Sequence, residues 1–292
     1  SRMSTAIQSV EARLRANPDD AETWKVYADW LLDQGDPRGE LIMLESLAAS
    51  DPSLRGKIAT LTREHEQAWQ PQVFARVEYE RRFGFVCAAT LRLGNPDDVG
   101  TIRRLLADPQ ARLLGALRLS FGDAIKAKHL RELAKQDFGR LRSLRASYHA
   151  RGDGLNQAMV HAPGLALTSL DLRYSRLSDA GLIALVGCEG LAGLRTLHLH
   201  HNNVGVKGIG ALAHAPTMAR LERLDLRYNR VGQACAEALA AASVLGRLRI
   251  LHLDTAELVD EGLQALAAST TLPRELVRGF RGLLQTRTPS AR

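Results

Sequence analysis

Side chains that can bind a metal ion or transfer a proton recur at a regular interval in this chain. Carboxylates and imidazoles alternate 27 residues apart, at Asp171, His198, Asp225 and His252, and two further imidazoles lie near His198, at His200 and His201. Groups of these two kinds held close together could coordinate zinc, or could act as a general acid and a general base. Either chemistry requires a fold that brings residues far apart in sequence next to one another.

Two features of the sequence weaken both chemical hypotheses. Side chains on the parallel strands of an open sheet need not converge on one point, and acid–imidazole pairs across strands explain the alternation without a metal ion. No serine or cysteine nucleophile lies in a recognisable motif with the cluster, and no phosphate-binding loop is present. We therefore expect no bound metal, no cofactor and no catalytic activity.

A repeated motif predicts the fold that positions these residues. Segment 221–229 has the form L-x-x-L-x-L-x-x-N, and its middle leucine recurs at intervals of 26 or 27 residues, as Leu91, Leu117, Leu144, Leu170, Leu197, Leu224 and Leu251. A period of this size predicts a solenoid, in which each unit buries its apolar face against its neighbours. Leucines that alternate with polar residues predict a short strand, and apolar pairs such as Leu182 and Leu185 predict an amphipathic helix after it.

The motif resembles the leucine-rich repeat, and its spacing resembles the ribonuclease-inhibitor-like class, over residues 85–272. The resemblance implies an α/β solenoid shaped like a horseshoe, with about seven repeats, parallel strands on the concave face and helices on the convex face. In this family the asparagine of the motif bonds to neighbouring backbone inside the turn. It is present here only at Asn202 and Asn229, so the other repeats must satisfy those backbone groups in another way.

The first 70 residues have a different character, because they contain all three tryptophans and no leucine motif. Apolar stripes and helix-start signals at Asn17-Pro18, Asp36-Pro37 and Asp51-Pro52 predict a bundle of about four helices, with Asn17 as one cap. Segments 17–20, 27–30 and 35–42 resemble the short repeat-companion domain at the N-terminus of many bacterial leucine-rich-repeat proteins. This resemblance implies a bacterial origin but no chemistry.

These patterns divide the chain into four segments. Residues 4–70 form the helical companion domain, 71–84 a junction, 85–272 the repeats, and 273–292 a C-terminal helix followed by a disordered tail from Thr286. Because the ends of a solenoid expose a sheet edge and a slice of core, we expect the bundle and the last helix to cover them. Whether the bundle also offers a second docking surface stays open.

The composition of the chain limits which cellular compartment and which classes of partner are expected. The chain has 45% hydrophobic and 24% charged residues, which is ordinary for a soluble protein, and no apolar run approaches the ~20 residues of a membrane span. No signal peptide is evident, and the three cysteines suggest no disulfide framework, so we expect a cytoplasmic protein. The net charge of +7 permits an acidic partner, but arginine is spread too evenly to favour nucleic acid.

Equivalent positions on neighbouring strands lie about 4.8 Å apart and should form columns on the concave face. One predicted column carries a nearly continuous aromatic strip beside Arg173, His200 and Arg227, and the strip consists of Phe121, Tyr148, Tyr174, His201 and Tyr228. Tyrosine and arginine dominate the hot spots of protein interfaces. The alternative is that the rings only cover the bend between strand and turn.

We therefore expect a non-catalytic scaffold or adaptor that binds a partner protein on the concave face, centred on repeats four to six. The predicted partner-binding residues are Tyr148, Asp171, Arg173, Tyr174, His198, His200, His201, Arg223, Asp225, Arg227, Tyr228, His252 and Asp254. Two alternatives stay open. Activators of Ran-type GTPases share this repeat class, so regulation of a small GTPase is one, by analogy of fold alone. Nucleic-acid binding is the other.

Overall fold

The structure of the protein is a computed structural model that describes residues 5–73, 76–147, 152–159 and 162–287. The chain forms two compact units. The first unit comprises Ser1–Arg92, Asp97–Arg118 and Arg140–Arg142, and the second comprises Leu93–Pro96, Leu119–Gly139 and Ser143–Arg292. The domain boundaries at residues 70 and 85 stay a prediction.

The helical character of the N-terminal region is confirmed. Its helices are α1 (Thr5–Ala16), α2 (Ala21–Asp33), α3 (Arg38–Leu47) and α4 (Arg55–His65), with a short 3-10 helix at Pro52–Leu54. The predicted cap at Asn17 is wrong. The chain first makes a turn in which the N–H of Asp20 donates to the carbonyl of Asn17, so the helix begins at Ala21, and Asp20 caps it by accepting from the N–H and hydroxyl of Thr23.

A β-hairpin spans the predicted junction and the start of the predicted repeat segment. Strand β1 (Val77–Arg82) pairs antiparallel with β2 (Phe85–Leu93) across a turn at Phe83 and Gly84, where φ is +49° and +77°. Phe85 at the start of β2 enters the core of the bundle, where its ring centroid lies 5.8 Å from that of Trp24. Phe83 and Phe85 therefore serve packing within the first unit. Helix α5 (Asp98–Ala107), a 3-10 helix at Pro109–Ala111 and strand β3 (Ala116–Phe121) follow.

The second unit alternates strands and helices, as the leucine period predicts. Its strands are β4 (Ser143–Ala146), β5 (Ser169–Asp171), β6 (Thr196–His198), β7 (Arg223–Asp225) and β8 (Ile250–His252). Its helices are α6 (Ala127–Ala134), α7 (Gly152–Met159), α8 (Asp179–Val186), α9 (Val206–His214), α10 (Gln233–Ala240), α11 (Asp260–Ala267) and α12 (Arg274–Arg287), with 3-10 helices at Glu189–Leu191 and Pro216–Met218. Strands β4 to β8 are parallel, and the marker leucines are paired in register from Leu144 to Leu251. The predicted α/β solenoid with an N-terminal helical region is confirmed.

The asparagine position shows how repeats that lack asparagine satisfy the same backbone. The Nδ2 of Asn229 donates to the carbonyls of Leu199 and Leu226, so it links two consecutive repeats. In the repeat where Ser175 replaces asparagine, the serine hydroxyl donates to the carbonyl of Ala146, which is the equivalent acceptor. In the repeat of Gly122, the backbone N–H of the glycine itself donates to the carbonyl of Leu93. A smaller donor therefore fills the same role as the asparagine amide.

Helix α12 packs against α11 and covers the last repeat with Val277 and Phe280, which are both 5% exposed. The guanidinium of Arg281 donates to the carbonyl of Ala267 at 2.8 Å, and that of Arg287 donates to the carbonyl of Leu258 at 2.7 Å. Helix α12 includes Thr286 and Arg287, so these two residues do not belong to the disordered tail predicted from Thr286. No described helix is long and apolar enough to span a membrane.

Candidate functional site

The candidate site lies on the strand face, defined here as the side of strands β5 to β8 that carries Asp171, His198, Asp225 and His252. The parallel register makes these four residues lateral neighbours in that order. The leucine that precedes each of these residues on its strand points to the other side of the sheet. Leu170, Leu197 and Leu224 are at most 1% exposed. The column arrangement expected from the 26–27 residue period is therefore present. The role of these residues in binding stays a prediction.

An aromatic stack lies immediately past the strands, and it consists of Tyr174, His201 and Tyr228. Each of the three has a left-handed backbone, with φ between +52° and +55°. The ladder of backbone hydrogen bonds continues through this turn, because the N–H of Tyr174 donates to the carbonyl of His200 and the N–H of His201 donates to that of Arg227. The rings are thus in register, and both centroid distances along the stack are 4.0 Å, with planes 14° and 19° apart.

The stacked rings remain accessible at their outer edges. Tyr228 is 55% exposed and Tyr174 is 38% exposed, which places both among the exposed large apolar or aromatic side chains of the described residues. The backbone N–H of Tyr228 donates to the carboxylate of Asp254, which holds the end of the stack. The predicted site residue Tyr148 lies outside the described residues. Tyr174 and Tyr228 therefore offer a partly exposed aromatic surface.

The arginines beside the stack are bound to carboxylates of their own strands. The guanidinium of Arg173 donates to Asp171 through Nε at 2.9 Å and Nη2 at 2.6 Å, and Arg145 donates to the same carboxylate at 3.1 Å. The guanidinium of Arg227 donates to Asp225 through Nε at 3.0 Å and Nη2 at 2.6 Å. Burial by itself raises the pKa of each carboxyl, but the arginine hydrogen bonds outweigh it and hold both pKa values below the ordinary range.

Two imidazoles and one carboxylate come close together at the centre of the strand face. One ring nitrogen each of His198 and His200 and one oxygen of Asp225 lie within 4.8 Å of one another. The Nδ1 atoms of both histidines are buried without a hydrogen-bond partner. Burial lowers the pKa of both imidazoles, more than the nearby carboxylates raise it. His252 is half-exposed, with its Nδ1 3.7 Å from the Asp225 carboxylate, and Arg223 is exposed on β7.

Sequence analysis missed Arg145 as part of this network, and it missed the Asp–Arg pairing. One signal was present: Asp-Leu-Arg-Tyr occurs at 171–174 and again at 225–228, two repeats apart. An aspartate and an arginine two residues apart on a strand point to the same side, so the repeated tetrapeptide implied a contact within each strand. The left-handed conformation of the tyrosines had no signal of its own, because non-glycine residues rarely adopt it.

Comparison with known proteins identifies part of the repeat region. Residues 167–186 and 194–213 match the family model described as Leucine Rich repeat. These two segments cover strands β5 and β6, helix α8 and nearly all of α9, and they carry Tyr174, His198, His200 and His201. No curated protein matches the chain. Leucine-rich repeats are in general protein-interaction modules without catalytic activity of their own.

Proposed function

We propose that this protein is a non-catalytic adaptor or scaffold that binds a partner protein on the strand face of its second unit. The aromatic stack of Tyr174, His201 and Tyr228 is the observation that carries this proposal. It is an ordered and partly exposed aromatic surface on an element of fixed geometry. Bacterial origin, a cytoplasmic location, the ribonuclease-inhibitor-like subtype and the companion domain belong to the same proposal.

The stack suits a binding surface because its rings lose little conformational freedom when a partner covers them. Its rings are already held by stacking at 4.0 Å and by the backbone ladder. Tyrosine presents a large contact area with few rotatable bonds, which reduces the entropy cost of association. A partner with an apolar or aromatic side chain at its centre would bury the exposed edges of Tyr174 and Tyr228.

The Asp–Arg pairs support a protein rather than a nucleic acid as the partner. Arg173 and Arg227 already donate to buried carboxylates, so a phosphate would have to compete with Asp171 and Asp225 for them. The contact with Asp225 also orients the guanidinium of Arg227, which can donate further N–H groups to a carbonyl or carboxylate of a partner. The side chain of Arg227 is 42% exposed.

The test replaces the two tyrosines by asparagine, which tolerates the left-handed backbone that they adopt. The wild-type chain is first used to capture proteins from cells of the source organism. Each captured protein is then expressed and purified, and its Kd is measured for the wild-type chain and for the Tyr174→Asn/Tyr228→Asn variant. We expect the double variant to weaken binding at least tenfold, because a buried tyrosine at an interface contributes about 2 kcal/mol or more.

The matched control changes two exposed apolar residues on helices of the same unit. Ile183 on α8 and Val206 on α9 are 45% and 47% exposed, which is comparable with the tyrosines. The Ile183→Ala/Val206→Ala variant should bind like wild type. Equal Kd values for wild type and the tyrosine variant, with unchanged Tm, would reject the strand face as the binding surface.

A further inference from the structure

The histidine pair on the strand face has the donor atoms of a metal site. We propose that His198, His200 and Asp225 bind a divalent transition-metal ion, with Zn²⁺ as the first candidate. One ring nitrogen of each histidine and one oxygen of Asp225 lie within 4.8 Å of one another. In addition, the buried Nδ1 atoms of both histidines have no hydrogen-bond partner among the described residues.

The backbone already brings the three side chains to one place. His198 and His200 are two residues apart on an extended segment, so both point to the same side of the sheet. Asp225 lies directly beside His198 in the parallel register of β6 and β7. Donor atoms in a tetrahedral zinc site are roughly 3.4 Å apart, because Zn–N bonds are about 2.0–2.1 Å long. Binding of an ion would therefore require side-chain rotations that bring the donor atoms closer than the 4.8 Å within which they lie.

The unpartnered nitrogens are the second observation that points to a ligand. Buried polar atoms of folded proteins nearly always have a hydrogen-bond partner. The Nδ1 of His200 lies 3.3 Å from the carboxylate of Asp225, but the ring is not oriented to form a hydrogen bond with it. A ring nitrogen that donates no hydrogen bond can instead offer a lone pair to a metal ion.

The guanidinium of Arg227 would act as an outer-shell partner of the metal site. Its Nη2 donates to Oδ2 of Asp225 and its Nε donates to Oδ1, which fixes the orientation of the carboxylate. Oδ1 also accepts from the backbone N–H of Arg227, so both of its lone pairs are used, whereas Oδ2 keeps a lone pair for a metal ion. Outer-shell hydrogen bonds of this kind are usual around metal ligands. The positive charges of Arg227 and Arg173 lower the affinity for a cation, so we expect micromolar rather than nanomolar binding.

The donor set selects the class of metal. Two imidazoles and one carboxylate suit Zn²⁺, Co²⁺ and Ni²⁺, whereas Mg²⁺ and Ca²⁺ prefer oxygen donors alone. Three protein ligands leave at least one coordination position for water or for another side chain. His252 is the nearest candidate, since its Nδ1 lies 3.7 Å from the carboxylate of Asp225. Metal binding requires no partner protein, so it can be tested separately from the proposed function.

The experiment measures metal binding to the full chain without an affinity tag. Zn²⁺ is titrated calorimetrically, and Co²⁺ is titrated by visible absorption, because four-coordinate Co²⁺ with protein ligands absorbs more strongly than the hydrated ion. We expect one ion per chain, and at least a tenfold loss of affinity in His198→Ala, in His200→Gln and in Asp225→Asn. His214→Ala is the matched control, because His214 is an exposed histidine on α9 that contacts Ser243, and this variant should bind like wild type.

Circular dichroism and thermal melting of each variant check that it is folded. His200→Gln keeps a side chain of similar size, so a folded variant is available even if His198→Ala unfolds. Loss of the Co²⁺ absorption in a folded His200→Gln protein supports the site. Two results would overturn the proposed metal site. One is a Kd of wild-type protein for Zn²⁺ that is millimolar or weaker, and the other is unchanged metal binding in folded His200→Gln and Asp225→Asn.

Discussion

At the scale of single residues, three Asp-x-Arg sequences form the same contact. In each case the arginine donates to the carboxylate two residues earlier, with shortest distances of 2.7 Å for Asp36–Arg38, 2.6 Å for Asp171–Arg173 and 2.6 Å for Asp225–Arg227. The carboxylates are largely buried, so these contacts are stronger than ordinary surface ion pairs. They show that an arginine near a candidate surface can be oriented by its own chain before any partner arrives.

The pair in the first unit allows the clearest test of this contact. Arg38 is 4% exposed, its guanidinium lies 4.1 Å from the ring centroid of Phe85, and it also donates to Gln110. In Asp36→Asn this buried cation loses its carboxylate, so we expect the free energy of unfolding to fall by about 3 kcal/mol at pH 7. Urea denaturation of both proteins measures the difference.

The pH dependence of that difference has a definite sign. Burial by itself raises the pKa of Asp36, but hydrogen bonds from Arg38 outweigh it and hold the pKa below its ordinary value. The charged carboxylate therefore stabilises the fold above the unfolded-state pKa of about 3.9, and this contribution is lost as the pH falls through the folded-state pKa. The free energies of unfolding of wild type and Asp36→Asn should differ by a constant amount from pH 5 to 7 and should converge below about pH 4.

A second ion pair in the same unit provides the control. Glu40 and Lys57 form an ion pair at 2.7 Å, but their side chains are 42% and 60% exposed. Solvent screens such a pair, so Glu40→Gln should change the free energy of unfolding by less than about 0.5 kcal/mol. Equal losses in Asp36→Asn and Glu40→Gln would show that burial does not decide the strength of these contacts.

At the scale of elements, carboxylates link consecutive helices of the second unit. Asp179 at the start of α8 accepts from the backbone N–H groups of Gly205 and Gly208 at the start of α9. One repeat earlier, Asp153 in α7 accepts in the same way from the N–H of Ser178, the N-cap of α8. An acidic group at a helix N-terminus stabilises the exposed N–H groups there. The same interaction here also joins neighbouring repeats.

This contact requires glycine at the third position of α9. A Cβ on Gly208 would lie 2.6 Å from Oδ1 of Asp179 and 3.2 Å from its Cα, so the carboxylate would have to leave its two N–H donors. We expect Gly208→Ala to lower the free energy of unfolding by about 1–3 kcal/mol. Chemical denaturation of wild type and Gly208→Ala measures this difference in the free energy of unfolding.

The same helix contains a matched control. Gly210 has no atom within 4 Å of the position of an added Cβ. Gly210→Ala should stabilise the protein by up to about 1 kcal/mol, because alanine favours a helix interior more than glycine does. If Gly208→Ala were as stable as Gly210→Ala, the carboxylate link between α8 and α9 would contribute little.

At the scale of the whole molecule, each repeat of the second unit contacts chiefly its neighbours, so the last repeat depends on α12 to cover its core. Stability in such an array is local, and loosening starts at an end that has lost its cover. Phe280→Ala removes the buried aromatic ring of α12, so we expect a loss of about 3 kcal/mol. Hydrogen exchange followed by mass spectrometry should show faster exchange in α11 and α12, with α8 unchanged.

The control for this prediction lies on the same helix. Leu283 is 41% exposed, so Leu283→Ala should leave exchange in α11 unchanged. A uniform rise of exchange from α8 to α12 in Phe280→Ala would contradict a local opening and would indicate that the unit unfolds as a whole.

The sequence alone was sufficient to predict the strands and helices of the repeats. All seven marker leucines lie in strands β2 to β8, and the paired helix positions, from Leu182 and Leu185 to Leu263 and Leu266, are at most 1% exposed. This was possible because the period of apolar residues reports directly which side of each element is buried. Strand β1, which pairs with β2 in a hairpin, was not predicted, because its residues follow no repeat.

Only the tertiary structure decided the state of the polar residues on the strand face. It placed Arg173 and Arg227 on their own aspartates, gave Tyr174 and Tyr228 a left-handed backbone, and brought two unpartnered histidine nitrogens close to Asp225. A period specifies which residues are lateral neighbours. Hydrogen bonds and metal sites depend on differences of less than 1 Å and on side-chain rotamers, which are set by packing between repeats rather than by spacing along the chain.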